Sequence, residues 1–369
     1  MNKRVLVVIQ ILRRGGVELA AINFATKLNR DSFDVSFLLV NPDDNQDEML
    51  QKELSEQGYN IYFVPKTCKG YLQRYRYLCS FFAENKFDVV HSHVIFFSGI
   101  VLAAAKKSNI PVRAAHSHIT KWNHNESLKY KFYKSFMRVL INNCATVKFA
   151  CSDEAGIFLY GKKSYAKNGV YIPNAVDCQH FAFDDNKRRQ IRNEFNVSDS
   201  TVLVGHIGTV YRIKNQSFLV QVVSNMIKTN QDIKCIMVGE PIEREQVEQK
   251  AAELGISEKV FFAGSRADTD AFYSAFDIMI FPSLHEGLPL SLIEAQAAQL
   301  PCLVSDSVNH SVKYNSNVEF KSLDESTDKW SESAFKLVAI PRNSVSIDAL
   351  INDYDINATI KKLEFYYNN

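Results

Sequence analysis

The amino-acid sequence predicts a protein of two α/β domains, each a doubly wound sheet of parallel strands with helices on both faces. Two series of short apolar runs, separated by longer amphipathic stretches, carry this prediction, one in each half of the chain. Strands that alternate with helices form parallel sheets that are covered on both faces. A length of 369 residues also fits two domains of ordinary size better than one.

The first domain is placed at residues 1–180. Its predicted strands are 5–11, 35–40, 61–64, 89–91, 112–116 and 147–151, with one more ending at Ile172. Its predicted helices are 16–28, 48–57, 71–84, 97–107 and 127–142. The chain start is basic and apolar, but no small-residue cleavage site follows, so we interpret it as a buried strand and not as a signal peptide.

The second domain is placed at residues 181–346. The polar run 184–189 is a linker or the start of a helix. Strands are then predicted at 201–207, 233–238, 260–262, 278–281 and 302–304, and helices at 215–229, 243–254, 268–275 and 289–299. The last segment, 347–369, contains a predicted helix that we expect to pack back on the first domain. Two doubly wound domains place a cleft between them, with ligands beyond the carboxyl ends of the strands.

The composition is that of an ordinary globular protein, with 46% hydrophobic and 23% charged residues. The longest mostly apolar stretch, 94–105, is shorter than the ~18 residues that a membrane-spanning helix needs. The seven cysteines form no CxxC pair, which favours free thiols over a disulfide framework or a zinc site. We therefore expect a cytoplasmic protein.

Charge is divided unevenly along the chain. Residues 1–170 carry a net charge of +10, and residues 171–369 carry a net charge of −8. A basic half suits an anionic partner such as nucleic acid, a membrane surface or a phosphorylated acceptor, with chance as the alternative. The basic residues interleave with sheet elements and form no tail or known module, so we predict no nucleic-acid partner.

The strongest motif is the segment 281–294, FPSLHEGLPLSLIE. A strand ends at its first residue, and Pro289 lies where a helix begins and a missing N–H costs nothing. The N–H groups of a helix start suit a phosphate, and Gly287 lets the backbone come close to a ligand. Glu286 and Glu294 lie on either side of this helix start, and carboxylates suit vicinal hydroxyl groups such as those of ribose or a hexose. The alternative is a surface loop followed by an exposed helix carboxylate.

This segment resembles the E-x7-E signature of the retaining GT-B glycosyltransferases of family 4, a group with many bacterial capsule, exopolysaccharide and O-antigen transferases. Three further segments are similar to that family at the right spacing: 260–264, 275–278 and 281–283. The segment 172–177 resembles the family's IPNGVD, with Ala175 where glycine is usual. The resemblance covers nearly the whole chain and is densest over 200–306.

The resemblance implies a GT-B fold of two Rossmann-like domains. It implies retaining transfer of a hexose or N-acetylhexosamine from a nucleotide-sugar, by family habit a UDP-sugar. The acceptor would be a lipid-linked saccharide or a glycan in bacterial surface polysaccharide synthesis. No cofactor is implied, and GT-B enzymes generally need no metal ion for the donor diphosphate. Two alternatives stay open: a GT-B nucleotide-sugar epimerase, and a non-catalytic GT-B scaffold in a polysaccharide assembly.

For the donor, the resemblance implies that Glu294 holds the ribose and that Glu286 contacts the sugar hydroxyls. The N–H groups of Gly287 and Leu288 would bind the diphosphate. Gly208 and Lys214 resemble the ends of the family's Gly-Arg-x4-Lys element, in which both basic side chains neutralise the diphosphate. An exposed lysine at a helix start is the alternative for Lys214.

This chain departs from that element at Thr209, where the family has arginine, and Arg212 is our candidate to supply the missing charge. Loss of a phosphate cation weakens transition-state stabilisation unless another group replaces it. The candidate donor-binding residues are Gly15, Gly16, Gly208, Thr209, Arg212, Lys214, Gly239, Gly264, Ser265, Glu286, Gly287, Leu288, Pro289, Leu290 and Glu294. The candidate catalytic residues are His118, Glu286 and Lys214.

In the first domain, Gly15 and Gly16 resemble the family's glycine-rich loop, although any strand-to-helix turn favours glycine. Histidines form two His-x-His pairs, at 91–93 and 116–118, each where a strand ends. The second pair resembles the family's loop that contacts the donor sugar, and we favour His118 over His116 for that contact. The acceptor-side candidates are Glu18, His116 and Asn174.

Two patterns resemble metal sites. A His-x-His pair suits zinc, but no carboxylate or cysteine cluster stands near either pair in sequence, and we predict no metal site. For His91 and His93, a structural role at the strand end is at least as good an interpretation. Asp268-Thr269-Asp270 matches the DxD of metal-dependent transferases, but it opens a helix, and we interpret Asp268 as an N-cap.

Two predicted helical segments, 69–82 and 127–142, are rich in basic and aromatic residues. In the second, Lys131, Lys134 and Arg138 share one face. Another face carries Leu128, Phe132, Phe136, Val139 and Leu140. Such helices rest on anionic lipid or are core helices with a solvated basic face. The first alternative predicts a peripheral association with the inner face of the cell membrane.

Overall fold

The computed structural model describes residues 2–13, 15–41, 46–120, 127–286 and 288–369. The chain divides into two compact units. The first unit is Met1–Ala175 together with Ile356–Asn369, and the second is Val176–Asp355.

The first unit is built on a parallel sheet. Its strands are β1 (Lys3–Ile9), β2 (Phe33–Leu39), β3 (Asn60–Phe63), β4 (Val89–Ser92), β5 (Val112–Ser117), β6 (Val147–Ala150) and β7 (Gly169–Tyr171). The order of these seven strands is β3-β2-β1-β4-β5-β6-β7. The helices are α1 (Gly16–Lys27), α2 (Glu48–Glu56), α3 (Tyr71–Glu84), α4 (Ser98–Lys107), α5 (Leu128–Cys144), α6 (Asp153–Tyr160) and α7 (Lys162–Asn168).

The second unit repeats this architecture. Its strands are β8 (Val202–Ile207), β9 (Ile233–Val238), β10 (Val260–Gly264), β11 (Ile278–Phe281), β12 (Cys302–Ser305) and β13 (Val318–Lys321), in the order β10-β9-β8-β11-β12-β13. Its helices are α8 (Asp185–Glu194), α9 (Gln216–Thr229), α10 (Arg244–Glu253), α11 (Thr269–Ala275), α12 (Leu290–Ala297), α13 (Thr327–Val338) and α14 (Asp348–Tyr354). The polar run at its start is a helix start, because the Asp184 carboxylate accepts hydrogen bonds from the amides of Asn186 and Lys187.

The last helix, α15 (Ile356–Asn368), belongs to the first unit. Its apolar face buries Ile356, Ile360, Leu363 and Tyr367 in the core cluster that contains β1 and β2. The Lys3 ammonium group donates to the carbonyl of Tyr367 at 2.9 Å, which fixes the helix end beside the first strand.

The unit boundaries differ from the predicted domains 1–180 and 181–346. The amide of Val176 donates to the carbonyl of Tyr354 at 2.9 Å, and Val176 forms a parallel bridge with Asp355. These contacts hold the residues after Ala175 in the second unit. The helix predicted within 347–369 is correspondingly two helices that break at Asp355, with α14 in the second unit and α15 in the first.

The prediction of two doubly wound parallel sheets is confirmed. In each sheet the strand order changes direction once, between β1 and β4 in the first and between β8 and β11 in the second. Loops at such a point are the usual ligand-binding loops of open α/β sheets. Among the described residues, no helix is long and apolar enough to cross a membrane.

Candidate functional site

The carboxyl edge of the second sheet is lined by glycine backbone. Gly208 follows β8, Gly239 follows β9 and Gly264 ends β10, and all three have positive φ. The amide of Gly239 donates to the carbonyl of Gly264 at 2.8 Å. A Cβ atom on Gly239 would lie 2.3 Å from the carbonyl oxygen of Gly208, so a side chain has no room there. Ser265, beyond the third glycine, is exposed.

Lys214 and Glu286 meet at this edge. The Lys214 Nζ lies 2.7 Å from Glu286 Oε1, and both side chains are about one-fifth exposed, at 21% and 19%. Their loops are joined by a hydrogen bond of 2.8 Å from the amide of Leu284 to the carbonyl of Ile213. The Lys214 ammonium also lies 4.9 Å from the centre of the Phe281 ring. The two residues are 72 positions apart in sequence, so the fold supplies the pairing.

Glu294 lies on α12, in a partly buried position behind the helix start. The Tyr273 hydroxyl donates to Glu294 Oε2 at 2.8 Å. Burial raises the pKa of Glu294 to about 7, against the lowering effect of the Tyr273 hydrogen bond. Glu294 therefore titrates near neutral pH.

The helix start itself is placed by two apolar contacts. Leu288 and Leu290 pack against the core cluster of the second unit, on either side of Pro289. The helix begins at Leu290, one residue later than the prediction, with Pro289 at the N-cap position. Gly287 lies outside the described residues.

The segment after β8 contains the departure from the family pattern. Thr209 is partly buried, and its carbonyl accepts a hydrogen bond of 2.9 Å from the Gln216 side-chain amide. Arg212 and Lys214 share one turn of 3₁₀-helix, Arg212–Lys214, and Arg212 is exposed. Arg212 is thus a solvent-facing cation two positions from Lys214.

His206 is a residue of this edge that sequence analysis missed. Its Nδ1 faces the carbonyl of Ile280 at 3.0 Å, and its ring stacks on Phe281. Its Nε2 is buried, with no hydrogen-bond partner among the described residues. A Cβ on Gly208 would lie 3.6 Å from that Nε2 and 3.3 Å from Lys214 Cε, so the three residues converge. Burial lowers the pKa of His206 to about 4. The sequence feature that could have identified His206 is its position as a polar residue inside the apolar run of β8.

Both carboxylates of Asp268-Thr269-Asp270 form ion pairs. Asp268 occupies the N-cap position of α11, but its side chain does not cap the helix as predicted. The Arg266 guanidinium instead holds both oxygens of that carboxylate at 2.8 Å. Asp270 is buried and lies 2.5 Å from Lys187 Nζ. Both carboxylates thus have cationic partners.

In the first unit, Glu18 lies in the first turn of α1. It is buried, and burial raises its pKa. A Cβ on Gly15 would lie 2.6 Å from Glu18 Oε2, so the carboxylate folds back over that glycine. Gly16 has open space around it, and its lack of a side chain is not required by packing.

Four histidines at the ends of β4 and β5 form what we call the histidine cluster: His91, His93, His116 and His118. His118 Nδ1 lies 2.7 Å from Asn174 Oδ1, and His118 Nε2 lies 2.8 Å from His93 Nδ1. His116 is fully buried in β5, whereas His118 is partly exposed just beyond it. Burial lowers the pKa of every member, and that of His118 falls to about 4. All four rings are therefore neutral at pH 7.

The structure thus brings three sequence candidates together, His116, His118 and Asn174, and adds His91 and His93 to them. It also adds Tyr367, whose hydroxyl lies 2.6 Å from His91 Nδ1. Sequence analysis had no means to find that contact, because Tyr367 is 276 residues away on the last helix.

The chain matches two protein families that together account for most of its length. Residues 14–180 match Glycosyltransferase Family 4, and residues 187–328 match Glycosyl transferases group 1. EpsF of Bacillus subtilis (strain 168), named as a glycosyltransferase, is 28% identical over 92% of this chain and 89% of its own. The capsular polysaccharide biosynthesis glycosyltransferase CapH of Staphylococcus aureus is 24% identical, over 96% of each chain.

Solved structures share the fold at lower sequence identity. The structure of Anabaena Alr3699/HepE in complex with UDP-glucose has a TM-score of 0.76 at 18% identity, with 98% of each chain covered. WaaG, a glycosyltransferase involved in lipopolysaccharide biosynthesis, has a TM-score of 0.67 at 14% identity, with 97% of this chain and 98% of WaaG covered.

Two doubly wound units, with Lys214, two glutamates and a glycine-lined sheet edge in the second, define a GT-B protein. The chain belongs to the GT-B glycosyltransferases of family 4.

Proposed function

We propose that this protein transfers a hexose or an N-acetylhexosamine, with retention of configuration, from a UDP-sugar to a lipid-linked saccharide or a glycan acceptor. The reaction would belong to the synthesis of a bacterial surface polysaccharide. The observation that carries the donor half of this proposal is the Lys214–Glu286 ion pair at the carboxyl edge of the second sheet, with Glu294 on the helix that begins just beyond Glu286.

The Lys214–Glu286 ion pair would offer the nucleotide-sugar two binding groups, a cation for the diphosphate and a carboxylate for the sugar. A diphosphate is a stronger partner for an ammonium group than a single carboxylate is, so it would draw Lys214 away from Glu286. Glu286 would then be free to accept hydrogen bonds from sugar hydroxyls. Lys214, the amides at the start of α12 and the exposed Arg212 would stabilise the departing diphosphate.

The other predicted roles extend this picture. We propose that Glu294 holds the ribose and that Tyr273 orients its carboxylate. We further propose that His118 contacts the donor sugar, and that Glu18, His116 and Asn174 serve the acceptor side. Nucleotide choice follows the comparisons: HepE was solved with UDP-glucose, and the E. coli UDP-Gal:α-D-GlcNAc-diphosphoundecaprenol α-1,3-galactosyltransferase is 22% identical over 79% of this chain and 76% of its own.

Nucleotide release from a panel of UDP-, GDP- and ADP-sugars tests the proposal, with purified protein and membranes extracted from the source cells. We expect UDP release from one donor, stimulated by the membranes and lost in Lys214→Ala. Lys228→Ala, at an exposed lysine on α9, is the matched control and should keep full activity. The anomeric configuration of the product, read by NMR, tests retention.

The two alternatives give different results in the same assay. A nucleotide-sugar epimerase would isomerise the donor without an acceptor. A scaffold would release no nucleotide, and no nucleotide-sugar would raise its melting temperature. The first variant to make would then be Thr209→Arg, which restores the arginine of the family.

For the acceptor, we propose that α5 rests on an anionic membrane surface. Its outer face is apolar and solvent-exposed: Leu128 is 85% exposed, Phe132 76%, Phe136 51% and Val139 56%. Lys129 and Lys131 lie beside this stripe and are exposed too. An apolar stripe bordered by lysines suits the interface of an anionic bilayer. The +10 charge of residues 1–170 has the sign that such a surface attracts.

One member of the predicted basic face faces the protein. Arg138 donates to the carbonyls of Phe158 and Leu159, at 2.7 and 3.2 Å, and so holds α5 on α6. Four of the five residues of the predicted apolar face, from Leu128 to Val139, are exposed. The fifth, Leu140, is partly buried and packs against the core, and Met137 and Ile141 are on the buried side of this helix.

Sedimentation with phosphatidylglycerol vesicles, compared with phosphatidylcholine vesicles, tests the membrane proposal. We expect binding to the anionic vesicles and at least a tenfold loss in the double variant Phe132→Ser/Phe136→Ser. Phe365→Ser, at a phenylalanine of α15 that is 61% exposed, is the control. Equal binding of the double variant and the control would refute the assignment of this face.

A further inference from the structure

Three buried ring nitrogens of the histidine cluster have no hydrogen-bond partner in the described part of the chain. They are His91 Nε2, His93 Nε2 and His116 Nδ1. His91 and His116 are fully buried and His93 is 3% exposed. One ring nitrogen from each of these residues lies within 4.8 Å of the corresponding atoms of the other two. A single unmet buried polar atom is uncommon, and three so close together require an explanation.

The protonation of His116 follows from its other nitrogen. His116 Nε2 faces the carbonyl oxygen of Ile172 at 3.3 Å. A carbonyl oxygen can only accept, so Nε2 carries the proton of the neutral ring. The unmet Nδ1 therefore presents a lone pair.

The same reasoning assigns the protonated nitrogen of His118 and then that of His93. His118 Nδ1 faces the side-chain oxygen of Asn174, an acceptor, and so carries the proton. His118 Nε2 then has a lone pair, which accepts a hydrogen bond from His93 Nδ1–H at 2.8 Å. With its proton on Nδ1, His93 presents a lone pair at the unmet Nε2.

His91 completes the set. Its Nδ1 lies 2.6 Å from the Tyr367 hydroxyl. A hydroxyl both donates and accepts, so this contact alone does not fix the tautomer of His91. In the tautomer whose Nδ1–H donates to the Tyr367 oxygen, the unmet Nε2 is a third lone pair. Lone pairs of three neutral imidazoles, buried and without a donor, are what a transition-metal cation satisfies.

We propose that His91, His93 and His116 bind a divalent transition-metal ion, Zn²⁺ in the first instance, inside the first unit. Zn–N bonds of about 2.0–2.1 Å in a tetrahedral site place the ligand nitrogens roughly 3.4 Å apart. The candidate nitrogens lie within 4.8 Å of one another, and the His91 and His116 rings are nearly parallel at 9°, so the rings must rotate to turn their lone pairs toward one ion. The non-ligating nitrogens already have the partners that orient metal-bound histidines: a backbone carbonyl, His118 and the Tyr367 hydroxyl.

This site differs from our sequence-based expectation of no metal, and it takes no part in binding the donor diphosphate. It shares His116 with the acceptor side of the proposed transfer reaction, and metal content is therefore measured without reference to activity. The sequence argument searched for carboxylates and cysteines beside each His-x-His pair. The fold instead joins the two pairs, because β4 and β5 are neighbours and Ser92 pairs with Ala115. The ion would tie the ends of β4 and β5 to each other, to α15 through Tyr367, and to His118 through His93.

Metal content of the full-length protein tests the site. The protein is stripped with a chelator, incubated with Zn²⁺ or Co²⁺ and desalted, and the metal is measured by mass spectrometry. We expect one ion per chain, a visible Co²⁺ spectrum typical of imidazole ligation, and a rise of several degrees in melting temperature with Zn²⁺. His93→Ala and His116→Ala should lose the ion, while His310→Ala, at an exposed histidine of the second unit, should keep it.

A milder variant covers the case in which those substitutions prevent folding. Tyr367→Phe keeps all three ligand nitrogens and removes only the partner of His91 Nδ1, so Zn²⁺ affinity should fall about 10–100-fold in a folded protein. The proposal is overturned if the folded wild type retains no ion. It is also overturned if His116→Ala or Tyr367→Phe binds Zn²⁺ as tightly as the wild type, which would mean that other residues hold the metal.

Discussion

At the scale of single residues, burial changes the protonation of groups at the candidate site. Glu294 is the example in the second unit, since its pKa is raised to about 7 by burial. In its proposed role, Glu294 would accept hydrogen bonds from ribose hydroxyls, which favour the ionised carboxylate, so donor binding and deprotonation of Glu294 would be coupled.

This coupling predicts a pH dependence of donor affinity. Below pH 7 the site must lose a proton to bind, so affinity for UDP-glucose, used as a probe, should rise by up to about tenfold per pH unit between pH 6 and 7 and level off above. Glu294→Gln should show weaker binding that does not change with pH over this range. Calorimetric titration at pH 6.0, 7.0 and 8.0 measures both, and equal slopes for the two proteins would contradict the role of Glu294.

The same residue predicts a stability difference with a definite sign. Because the pKa is raised above the ordinary glutamate value of 4.5, Glu294 favours folding fully below pH 4.5, and this contribution is lost as pH rises through 7. Glu294→Gln should therefore gain melting temperature relative to wild type between pH 5 and pH 8. Glu332→Gln, at an exposed position of α13, is the control and should track the wild type at every pH.

At the scale of elements, the candidate donor site is formed by the segments that follow the strands. The close approach of backbone after β8 and β9 is the clearest case, with Gly239 against the carbonyl of Gly208. Gly239→Ala should destabilise the second unit by about 1–3 kcal/mol and weaken donor binding, because the strand ends must move apart. Gly70→Ala, where the nearest atom to a new Cβ is Gln73 Oε1 at 4.0 Å, should do neither. Urea unfolding and UDP titration of both variants are the measurements.

Sequence patterns located most elements but not their partners. The apolar runs of β9 and β11 and the amphipathic run of α3 were predicted to the residue, because burial on both faces or on one helical stripe leaves a strong pattern. β13 was missed: Val318–Lys321 is a short edge strand with two charged residues among four. Its four residues alternate apolar and charged, but four is the shortest length at which such an alternation indicates a strand.

The candidate site shows the same limit. Residue type and position around a helix start singled out Glu286 and Glu294, whereas Lys214 and His118 were selected through the family resemblance. Their contacts were not predictable, because the Lys214–Glu286 and His91–Tyr367 pairs join residues far apart in the chain. His206 was passed over because one polar residue in an apolar strand carries little information by itself.

At the scale of the whole molecule, the chain completes its first unit only at its end. Four buried side chains of α15 belong to that core. Each contributes about 1.5–3 kcal/mol by burial, which together approaches the whole stability of a domain. Removal of residues 356–369 should therefore unfold the first unit, whereas removal of Asn369 alone should be neutral. Circular dichroism and limited proteolysis of the two truncated proteins test this; a stably folded longer truncation would contradict it.

The donor KM of Glu294→Ala is the most direct test of the central claim, that the carboxyl edge of the second sheet binds a nucleotide-sugar. Loss of charge-assisted hydrogen bonds worth about 1.5–3 kcal/mol should raise this KM by roughly 10–100-fold. Glu332→Ala, on an exposed face of the same unit, should leave it unchanged. An unchanged donor KM in a folded Glu294→Ala protein would contradict the assignment of this edge as the donor site.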